Sequence, residues 1–247
     1  MGDQNIYDDP EFFAGYRALR NNENCINNLL EQPAMADLLP NLAGKAVLDL
    51  GCGAGSNCLD FVRRGATRVL GLDISENMLA QAAKESCGTG IEYVRMSMAE
   101  LCLAETFDLV YSSLAFHYVE DFARLVQDIY GLLNPGGCLL FSQEHPISTA
   151  TIDGKGGFNR QDGQRISYTF SNYNQSGKRE TSWIVDGVVK YHRPMGELLT
   201  TVAKAGFILE EVCEPLPKDW AVQRLPAIVQ EYLKPNFLLV KARKEAP

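Results

Sequence analysis

Residues 46–55, with the sequence AVLDLGCGAG, constrain the fold of this chain more than any other segment. An apolar run leads to Asp49, and Gly51, Gly53 and Gly55 follow before a segment predicted to be helical. Glycine permits the unusual backbone dihedrals of a sharp turn and removes the Cβ that would obstruct a ligand. The pattern therefore predicts a buried parallel strand, a glycine turn and the start of a helix whose unpaired N–H groups face a ligand.

A ligand for this turn must suit the acidic residues around it. The dinucleotide fingerprint G-x-G-x-x-G needs its third glycine where this chain has Ser56. Asp49, two residues before the first glycine, would repel a pyrophosphate but suits a cation. Asp73 ends the second apolar run, RVLGLD, and its two oxygens can accept hydrogen bonds from a ribose diol. A cation and a ribose without a pyrophosphate indicate S-adenosylmethionine.

Four motifs resemble those of the class I S-adenosylmethionine-dependent methyltransferases. They are VLDLGCGAG, GLDIS, FDLVYSSLAFHYV and LLNPGGCLLFS, in the family's order and spacing over about residues 40–142. The resemblance implies an α/β fold, with a Rossmann-like, seven-stranded, mostly parallel sheet, helices on both faces and a reversed seventh strand. It also implies S-adenosyl-L-methionine as cofactor and S-adenosyl-L-homocysteine as product. Because the family is broad, the motifs specify cofactor and fold much more than the acceptor.

Apolar periodicity independently predicts alternating strands and helices through the middle of the chain. The predicted strands are 46–50, 68–72, 91–95, 107–112 and 137–142, and the predicted helices are 56–64, 75–86 and 121–133. Ser75 is expected to cap the second of these helices. Such alternation indicates a parallel sheet with helices on both of its faces.

The chain divides into a cap, a core and an insertion. These regions are an N-terminal helical cap (1–45), a cofactor-binding methyltransferase core (46–145 and 194–247) and an inserted β-rich lid on the substrate side (146–193). In the cap, one or two helices are predicted over 10–32, followed by a short helix from Pro33 to Leu39. The cap precedes the first core strand, so it is not expected to join the sheet.

Strand-forming residues and turn signals predict antiparallel strands in the insertion. Hairpin turns are expected at Gln175-Ser176-Gly177 and at Asp186-Gly187. The core then resumes with helix 195–205, strand 207–214, helix 223–233 and a final strand 236–242.

Composition and charge limit the classes of partner. The net charge of −8 and the pI near 5.0, without any Lys/Arg run longer than two residues, argue against nucleic acid as substrate. No apolar run is long enough to cross a bilayer, and the N-terminal residues lack the apolar core of a signal sequence. The seven cysteines are scattered without a C-x-x-C pair, which indicates a reducing compartment. We therefore expect a cytoplasmic protein with a small-molecule acceptor and no membrane partner.

The predicted cofactor contacts begin with two aspartates. Asp49 is expected to meet the methionine ammonium, or alternatively only to cap the loop amides. Gly51 and Gly53 let the cofactor approach the backbone closely. Asp73 is expected to accept hydrogen bonds from the ribose hydroxyls, the alternative being a helix cap. Both assignments put the ligand at the carboxyl edge of the parallel strands.

The adenine ring is expected against residues that follow the second and third strands. Ile74 and Met78 can sandwich the ring, although a methionine at such a position is also typical of a core. By the family's register, Ser97 stands where an acidic residue meets the adenine amino group, and its hydroxyl can accept a hydrogen bond there. Met98 and Ala99 are expected to contribute backbone groups.

The methionine part of the cofactor is expected near the fourth strand and the cap. Ser112 ends that strand where the family's methionine-side contacts occur, and its backbone carbonyl is the expected contact. Tyr16 and Arg20 lie four residues apart and so share one face of a predicted helix. They are candidates for the methionine carboxylate, the alternative being a surface salt bridge.

Candidates for the acceptor side follow the fifth strand or belong to the insertion. His145 directly follows that strand and precedes Pro146, which makes it a candidate general base, or alternatively a loop anchor. The other candidates for substrate contact are His117, Glu144, Trp183, Tyr191 and His192. For His117, a structural role is an equal alternative. A dedicated base is optional, because methyl transfer depends mainly on in-line proximity. The three histidines lack matching carboxylate or cysteine spacing, so no metal site is predicted.

These patterns predict an enzyme that transfers a methyl group from S-adenosylmethionine to a small molecule by in-line displacement. One alternative is an NAD(P)-dependent Rossmann oxidoreductase, which Ser56 and Asp49 disfavour. The other is a non-catalytic S-adenosylmethionine-binding partner protein, which would lack an enclosed acceptor pocket beside the methyl group.

Overall fold

A computed structural model describes residues 4–152 and 156–246, so residues 153–155 of the predicted insertion lie outside the described part. The strands are β1 (Ala46–Leu50), β2 (Arg68–Asp73), β3 (Glu92–Arg95), β4 (Phe107–Ser113), β5 (Leu133–Glu144), β6 (Gly157–Gln161), β7 (Gln164–Thr169), β8 (Gly177–Trp183), β9 (Val185–His192), β10 (Phe207–Cys213) and β11 (Phe237–Lys244). The α-helices are α1 (Pro10–Asn21), α2 (Gln32–Leu38), α3 (Ser56–Arg63), α4 (Glu76–Glu85), α5 (Phe122–Leu132), α6 (Pro146–Thr149), α7 (Met195–Lys204) and α8 (Asp219–Arg224). Shorter helical turns are Ile6–Asp8, Asn27–Glu31, Met98–Glu100, Phe116–Tyr118 and Pro226–Tyr232.

Seven strands form one sheet in the order β10-β11-β5-β4-β1-β2-β3. The strands β1 to β5 pair in parallel, whereas β11 is antiparallel to both β5 and β10. The strand order reverses between β1 and β4, and ligands of open α/β sheets bind at the carboxyl edge beside such a reversal. The predicted seven-stranded, mostly parallel sheet is confirmed, including its reversed strand.

Strand β1 is buried on both faces of the sheet, as expected for a central parallel strand. Val47 lies in an apolar cluster that includes Met35 of α2 and Phe61 of α3. Leu48 points to the opposite cluster, which includes Val126 of α5. Helices therefore cover both faces, as the alternating pattern predicted, and the carboxyl edge is left for the site.

Side-chain caps determine where two helices begin. The Ser75 hydroxyl accepts a hydrogen bond from the Met78 amide at 3.1 Å, which confirms the predicted cap of α4. Asp9 caps α1 in the same way, since its carboxylate accepts from the Phe12 amide at 2.9 Å. The Ser75 cap makes α4 begin three residues after Asp73, at the predicted ribose position.

The insertion forms two separate antiparallel hairpins, β6–β7 and β8–β9. The predicted hairpin turn at 175–177 is wrong. The β6–β7 hairpin turns at 162–163, whereas residues 175–177 lead into β8, which begins at Gly177. The predicted turn at 186–187 is also displaced, since the tip of β8–β9 is Ile184. Gly187 lies inside β9 with a φ of 78°. Gly177 thus marks the connection that enters β8, and Gly187 marks a register shift within the hairpin. Glycine is favoured at both positions because their backbone has positive φ, as it often does at a hairpin tip.

The C-terminal segment departs from prediction at one helix. The predicted helix 223–233 is wrong as a single element: α8 ends at Arg224 and a 3-10 turn, Pro226–Tyr232, follows. Pro226 has no N–H to continue a helical ladder and restricts the residue before it, so the chain bends there. Among the described residues, no helix has the length and apolar character needed to cross a membrane.

Candidate active site

The glycine turn after β1 needs each of its glycines. Gly51, Gly53 and Gly55 all have positive φ, between 54° and 78°. A Cβ added at Gly51 would lie 2.6 Å from the Cβ of Ala115, and one at Gly55 would lie 2.3 Å from the Tyr93 hydroxyl oxygen. No atom lies within 4 Å of a Cβ built at Gly53, so the open side of the turn is there. The turn can therefore receive a ligand closely against its backbone.

Asp49 is a buried carboxylate with a free oxygen beside this turn. Its Oδ2 accepts from the Cys58 thiol at 3.4 Å, whereas its Oδ1 has no hydrogen-bond partner among the described residues. Burial raises the pKa of Asp49 to about 7. An unpartnered buried carboxylate oxygen is costly unless a donor or cation meets it. The residue thus fits the ammonium group of S-adenosylmethionine, and that contact stays a prediction.

Asp73 links the end of β2 to the glycine turn. Its Oδ2 accepts from the Gly53 amide at 2.8 Å, and its Oδ1 accepts from the Ser75 amide at 2.9 Å. Burial raises its pKa, and these backbone bonds partly offset that effect. Each oxygen keeps a second lone pair, which a ribose hydroxyl can use. The helix cap of α4 is Ser75 and not Asp73, so the alternative role considered for Asp73 is performed by its neighbour.

The predicted adenine residues lie around the start of α4 and the turn after β3. Ile74 is half-buried, and its carbonyl accepts from the Arg95 guanidinium at 3.1 Å, whereas Met78 is buried. The Ser97 hydroxyl accepts from the Ala99 amide at 3.0 Å, so this side chain caps the turn that follows. The structure therefore assigns Ser97 a local role that an acidic residue at this position could also perform.

Met98 lies beside the glycine turn. Its Cε would be 3.9 Å from a Cβ built at Gly51. On the other side of β1, the Ser112 hydroxyl donates to the Leu50 carbonyl at 2.8 Å and holds β4 against β1. Leu114 then adopts a φ of 55°, and its amide bonds to the end of β5. A left-handed backbone at a leucine is a strained conformation of the kind found at functional sites.

The N-terminal cap places a buried acid at the same edge, which the sequence analysis missed. Glu31 is fully buried, and its carboxylate accepts from the hydroxyls of Ser113 and Ser142 at the ends of β4 and β5. Burial raises its pKa, and the two hydroxyls and the charge of Arg20 only partly offset this. A glutamate directly after Leu29 and Leu30, on an apolar helix face, was the available signal.

Tyr16 and Arg20 do come together at the inner side of this cap. Burial raises the pKa of the Tyr16 phenol, while the nearby charge of Arg20 opposes the rise. Among the described residues, no carboxylate lies within salt-bridge distance of Arg20, so the alternative of a surface salt bridge is not formed. The charges of Glu31 and Asp73 add to the rise in the pKa of the Tyr16 phenol.

The acceptor side contains a buried ion pair. The Lys190 ammonium, from β9, lies 2.5 Å from Oε1 of Glu144 at the end of β5, and 5.3 Å from the centre of the Trp183 ring. Burial alone would raise the pKa of Glu144, but His117 and Lys190 bring it below its usual value. Lys190 was missed, although it lies on the same buried face of β9 as Val188, two residues before it.

His117 lies behind this ion pair. Its Nδ1 accepts from the Glu144 amide at 3.4 Å, and burial lowers its pKa to about 4. The ring is therefore neutral at physiological pH. Three of the predicted substrate residues, His117, Glu144 and Trp183, thus lie together.

His145 lies apart from that group. Its Nε2 donates to Oε1 of Glu214 at 2.7 Å, and its Nδ1 accepts from the Ile147 amide at 3.1 Å. The side chain is 2% exposed, and burial lowers its pKa despite the neighbouring carboxylate. Both ring nitrogens are engaged locally, which favours the loop anchor over the general base, and the catalytic role stays a prediction.

Tyr191 and His192 line a different cleft, of about 260 Å³, between β9, α7 and Glu120. The Tyr191 hydroxyl donates to Glu120 at 3.3 Å. His192 accepts from the Thr149 hydroxyl at Nδ1 and donates to the Tyr173 carbonyl at Nε2, each at 2.8 Å. His192 is thus fully engaged, and substrate contact by either residue stays a prediction. Among the described residues, no group of three or more His, Cys, Asp and Glu side chains is arranged to hold a metal.

Aromatic rings join the cap to the insertion. Phe12 of α1 packs edge-on against Trp183 of β8 with the ring centres 5.5 Å apart, and Tyr16 lies 6.2 Å from the same ring. Tyr7 contacts Tyr16 at 5.1 Å and Tyr118 at 6.3 Å. The cap and the β8–β9 hairpin therefore meet over the carboxyl edge of the sheet.

Comparison with known proteins agrees with this geometry. The family described as "Methyltransferase domain" matches residues 48–141. The chain is 43% identical to an S-adenosylmethionine-dependent methyltransferase from Mesorhizobium loti, whose crystal structure superposes with a TM-score of 0.81 over 86% of this chain and 97% of that one. It is 38% identical to an uncharacterized protein of Haemophilus influenzae, over 97% of this chain and 96% of the relative.

A more distant similarity covers less than half of each chain. A ubiquinone biosynthesis O-methyltransferase of Pseudomonas fluorescens is 36% identical over 106 residues, which are 41% of this chain and 45% of the relative. The motifs, the fold and the full-length similarity agree with one another, and the chain belongs to the class I S-adenosylmethionine-dependent methyltransferases, with S-adenosylmethionine as its cofactor.

Proposed function

We propose that this protein transfers the methyl group of S-adenosylmethionine to a small-molecule acceptor held between the N-terminal cap and the β8–β9 hairpin. The observation that carries the proposal is the unpartnered Oδ1 of buried Asp49 at the sheet edge. A buried anion without a partner is retained where a ligand cation completes it. The aromatic contact between Phe12 of the cap and Trp183 of the hairpin supports an acceptor site covered by these two elements.

Two aspartates and the glycine turn are the proposed cofactor ligands. Asp49 would accept from the methionine ammonium, and Asp73 from the ribose hydroxyls. Gly51 and Gly53 would allow the close approach. When bound, the cofactor supplies an electrophilic methyl group on a sulfonium.

The remaining cofactor contacts are proposed around these residues. Ile74, Met78 and the backbone of Met98 and Ala99 would surround the adenine, with Ser97 holding that turn in shape. The backbone carbonyl of Ser112 would face the methionine part. Tyr16 and Arg20 would bind the methionine carboxylate, because Arg20 brings a cation without a competing salt bridge among the described residues.

Glu144 and His117 would contact the acceptor. Glu144 carries a lowered pKa, so it is ionised at neutral pH and can accept a hydrogen bond from an N–H or O–H of the acceptor. His117 stays neutral, and because its Nδ1 accepts from the Glu144 amide, its proton is on Nε2, which can donate a hydrogen bond to the acceptor. Orientation of the acceptor in line with the methyl group would supply most of the rate, and no strong base is needed.

A small-molecule acceptor is favoured over nucleic acid by the overall charge of −8. The relative that acts in ubiquinone biosynthesis also supports a small acceptor. A cytoplasmic location stays a prediction; all the described cysteines are free, as a reducing compartment would require.

The test combines binding with turnover. Isothermal titration should detect binding of S-adenosylhomocysteine. When a panel of metabolites is incubated with S-adenosylmethionine, at least one of them should be methylated, and a coupled assay that converts the product S-adenosylhomocysteine to homocysteine measures that turnover. Asp49→Asn, which should bind the cofactor poorly, is the matched control for the background signal of both assays. Binding without turnover on a broad panel would favour the non-catalytic alternative, and enhanced NADH fluorescence on mixing would favour the oxidoreductase.

A further inference from the structure

Lys234 is a buried cation without a carboxylate in direct contact. It lies in the short connection between the 3-10 turn Pro226–Tyr232 and β11, and only 7% of the residue is exposed. Its ammonium donates to Oδ1 of Asn236, and among the described residues no carboxylate lies within salt-bridge distance of it. An ammonium has three N–H donors, so two of them have no acceptor in the described part of the chain. Burial of such a group is costly unless a ligand completes it.

The connection that carries Lys234 is attached to the end of β5. The His145 amide donates to the Asn236 carbonyl at 2.8 Å, and β11 pairs with β5 as far as Glu144. The Lys234 ammonium also lies over the Tyr168 ring of β7, 5.4 Å from its centre. Lys234 is therefore at the carboxyl edge of the sheet, on the same side as the carboxylate proposed to contact the acceptor.

Glu231 is the acid closest to Lys234 in sequence, and both of its oxygens are already bonded. Oε2 accepts from the Asn236 backbone amide at 2.9 Å, and Oε1 accepts from the Asn236 side-chain amide. Burial raises the pKa of Glu231, which weakens it as a counter-ion. Glu231 thus orients Asn236, and Asn236 in turn orients the Lys234 ammonium. The cation is held in place from one side, as a binding group must be.

The surrounding charges leave the Lys234 ammonium available to an anion. Burial and the charge of Lys190 lower its pKa, and the charges of Glu231 and Glu144 only partly oppose this. Glu144 is itself paired with Lys190 at 2.5 Å. In a chain whose net charge is −8, an anionic ligand would need such a local cation.

We propose that Lys234 binds a compact anionic group of the methyl acceptor, a carboxylate or a phosphate, and thereby determines which acceptors are used. The acceptor is then a small anionic molecule that also carries the N–H or O–H held by Glu144. Because Lys190 neutralises Glu144, the anionic end of the ligand is not repelled from the site. The inference deepens the proposed function and rests on it.

Binding of simple anions tests this site without a known acceptor. The full chain is saturated with S-adenosylhomocysteine, and acetate or inorganic phosphate is added at constant ionic strength while NMR follows isotopically labelled lysine side chains. We expect the Lys234 signal, identified by its absence in Lys234→Met, to shift saturably with at least one of the two anions. The comparison of acetate with phosphate shows which anionic group fits. The signal of Lys218, which is exposed and pairs with Asp37, should shift much less.

Turnover of paired acceptors tests the specificity. Amino acids and hydroxy acids are compared with their neutral amides, and phosphate monoesters with their parent alcohols. At low concentration, the anionic member of a pair should be methylated at least about tenfold faster, because it gains a charge-assisted hydrogen bond. In Lys234→Met this preference should be lost through a rise in KM of about tenfold, with kcat within a few-fold of wild type. Lys234→Arg should retain part of the preference.

Stability separates a binding role from a structural one. A cation buried without a counter-ion costs free energy, so the melting temperature of ligand-free Lys234→Met should not fall. Lys218→Met removes an exposed lysine from the same C-terminal region and should leave KM unchanged.

Three results would overturn the inference. A Lys234 signal that responds to neither anion in cofactor-loaded protein would show that the site takes no anion. A lower melting temperature of Lys234→Met with an unchanged acceptor preference would make the residue structural. Faster methylation of the neutral members would exclude an anionic acceptor. Absence of S-adenosylhomocysteine binding by the wild type would instead overturn the proposed function, and this inference with it.

Discussion

The cofactor half and the acceptor half of the site are built by different means. On the cofactor side, Asp73 is bonded to backbone amides of its own strand end and of the neighbouring turn. On the acceptor side, Lys190 reaches Glu144 across 46 residues, and Gln4 reaches Val189 across 185. Backbone-anchored groups hold a shared cofactor in one geometry, whereas long side chains can be exchanged to suit another acceptor.

The largest expected effect is on the acceptor side. Lys190→Met leaves the Glu144 carboxylate without its partner in a largely buried site. We expect a loss of about 3 kcal/mol in the free energy of unfolding, the lower end for a broken buried pair because Glu144 keeps 28% of its side-chain exposure. Urea denaturation measures it. The double variant Lys190→Met/Glu144→Gln should recover most of the loss, and a single variant as stable as wild type would contradict the ion pair.

On the cofactor side, the corresponding change should affect binding and not folding. Asp49→Asn removes the buried anion with little change in shape. Affinity for S-adenosylhomocysteine should fall about a hundredfold, since a charge-assisted hydrogen bond in a buried site is lost. Isothermal titration measures the affinity. Stability should not decrease, because the unpartnered carboxylate itself costs free energy, and unchanged affinity would leave Asp49 as a loop cap only.

Asp73→Ala should combine both kinds of effect. Affinity should fall by at least about tenfold through the lost ribose contacts. The melting temperature should also fall, since the amides of Gly53 and Ser75 lose their acceptor. Asp73→Asn separates the two effects, because it retains one acceptor oxygen. Normal binding by Asp73→Ala would show that the ribose assignment is wrong.

The pKa of Asp49 predicts how cofactor affinity depends on pH. Burial raises this pKa to about 7, so the carboxyl is mostly protonated at pH 6 and mostly ionised at pH 8. Only the ionised form pairs with the ligand ammonium, so affinity should rise up to about tenfold between pH 6 and pH 8. Titrations with S-adenosylhomocysteine across this range measure it. The profile should be flat in Asp49→Asn, and a fall with pH in the wild type would contradict the assignment.

The smallest effect concerns His145. Its two local hydrogen bonds predict that His145→Ala lowers the free energy of unfolding by about 1 kcal/mol. Turnover of an acceptor found with the metabolite panel should stay within a few-fold of wild type. A hundredfold loss of turnover in folded protein would instead establish the general base and move the catalytic group to the β5–β11 side of the site.

The sequence by itself determined the elements whose causes are local. Positive φ at Gly51, Gly53 and Gly55 follows from the glycine turn, and burial on both faces of β1 follows from its apolar run. The carboxylates at the ends of β1 and β2 were therefore predictable, and so were the five parallel strands. Local turn chemistry was less specific in the insertion, where the same glycines serve connections and register shifts as well as hairpin tips.

Only the tertiary structure decided which distant side chains meet. Glu31 bonds to Ser142 across 111 residues, and neither periodicity nor spacing specifies such a pair. Likewise, the position of His145 directly after β5 did not predict its hydrogen bond to Glu214, because Glu214 follows β10 and is 69 residues away in sequence. Helix and strand patterns encode which face of an element is buried, but not which buried polar group lies opposite. The candidate cofactor site could thus be predicted from short sequence motifs, whereas the candidate acceptor site is formed by the packing of the cap, the β8–β9 hairpin and the sheet, which those motifs do not specify.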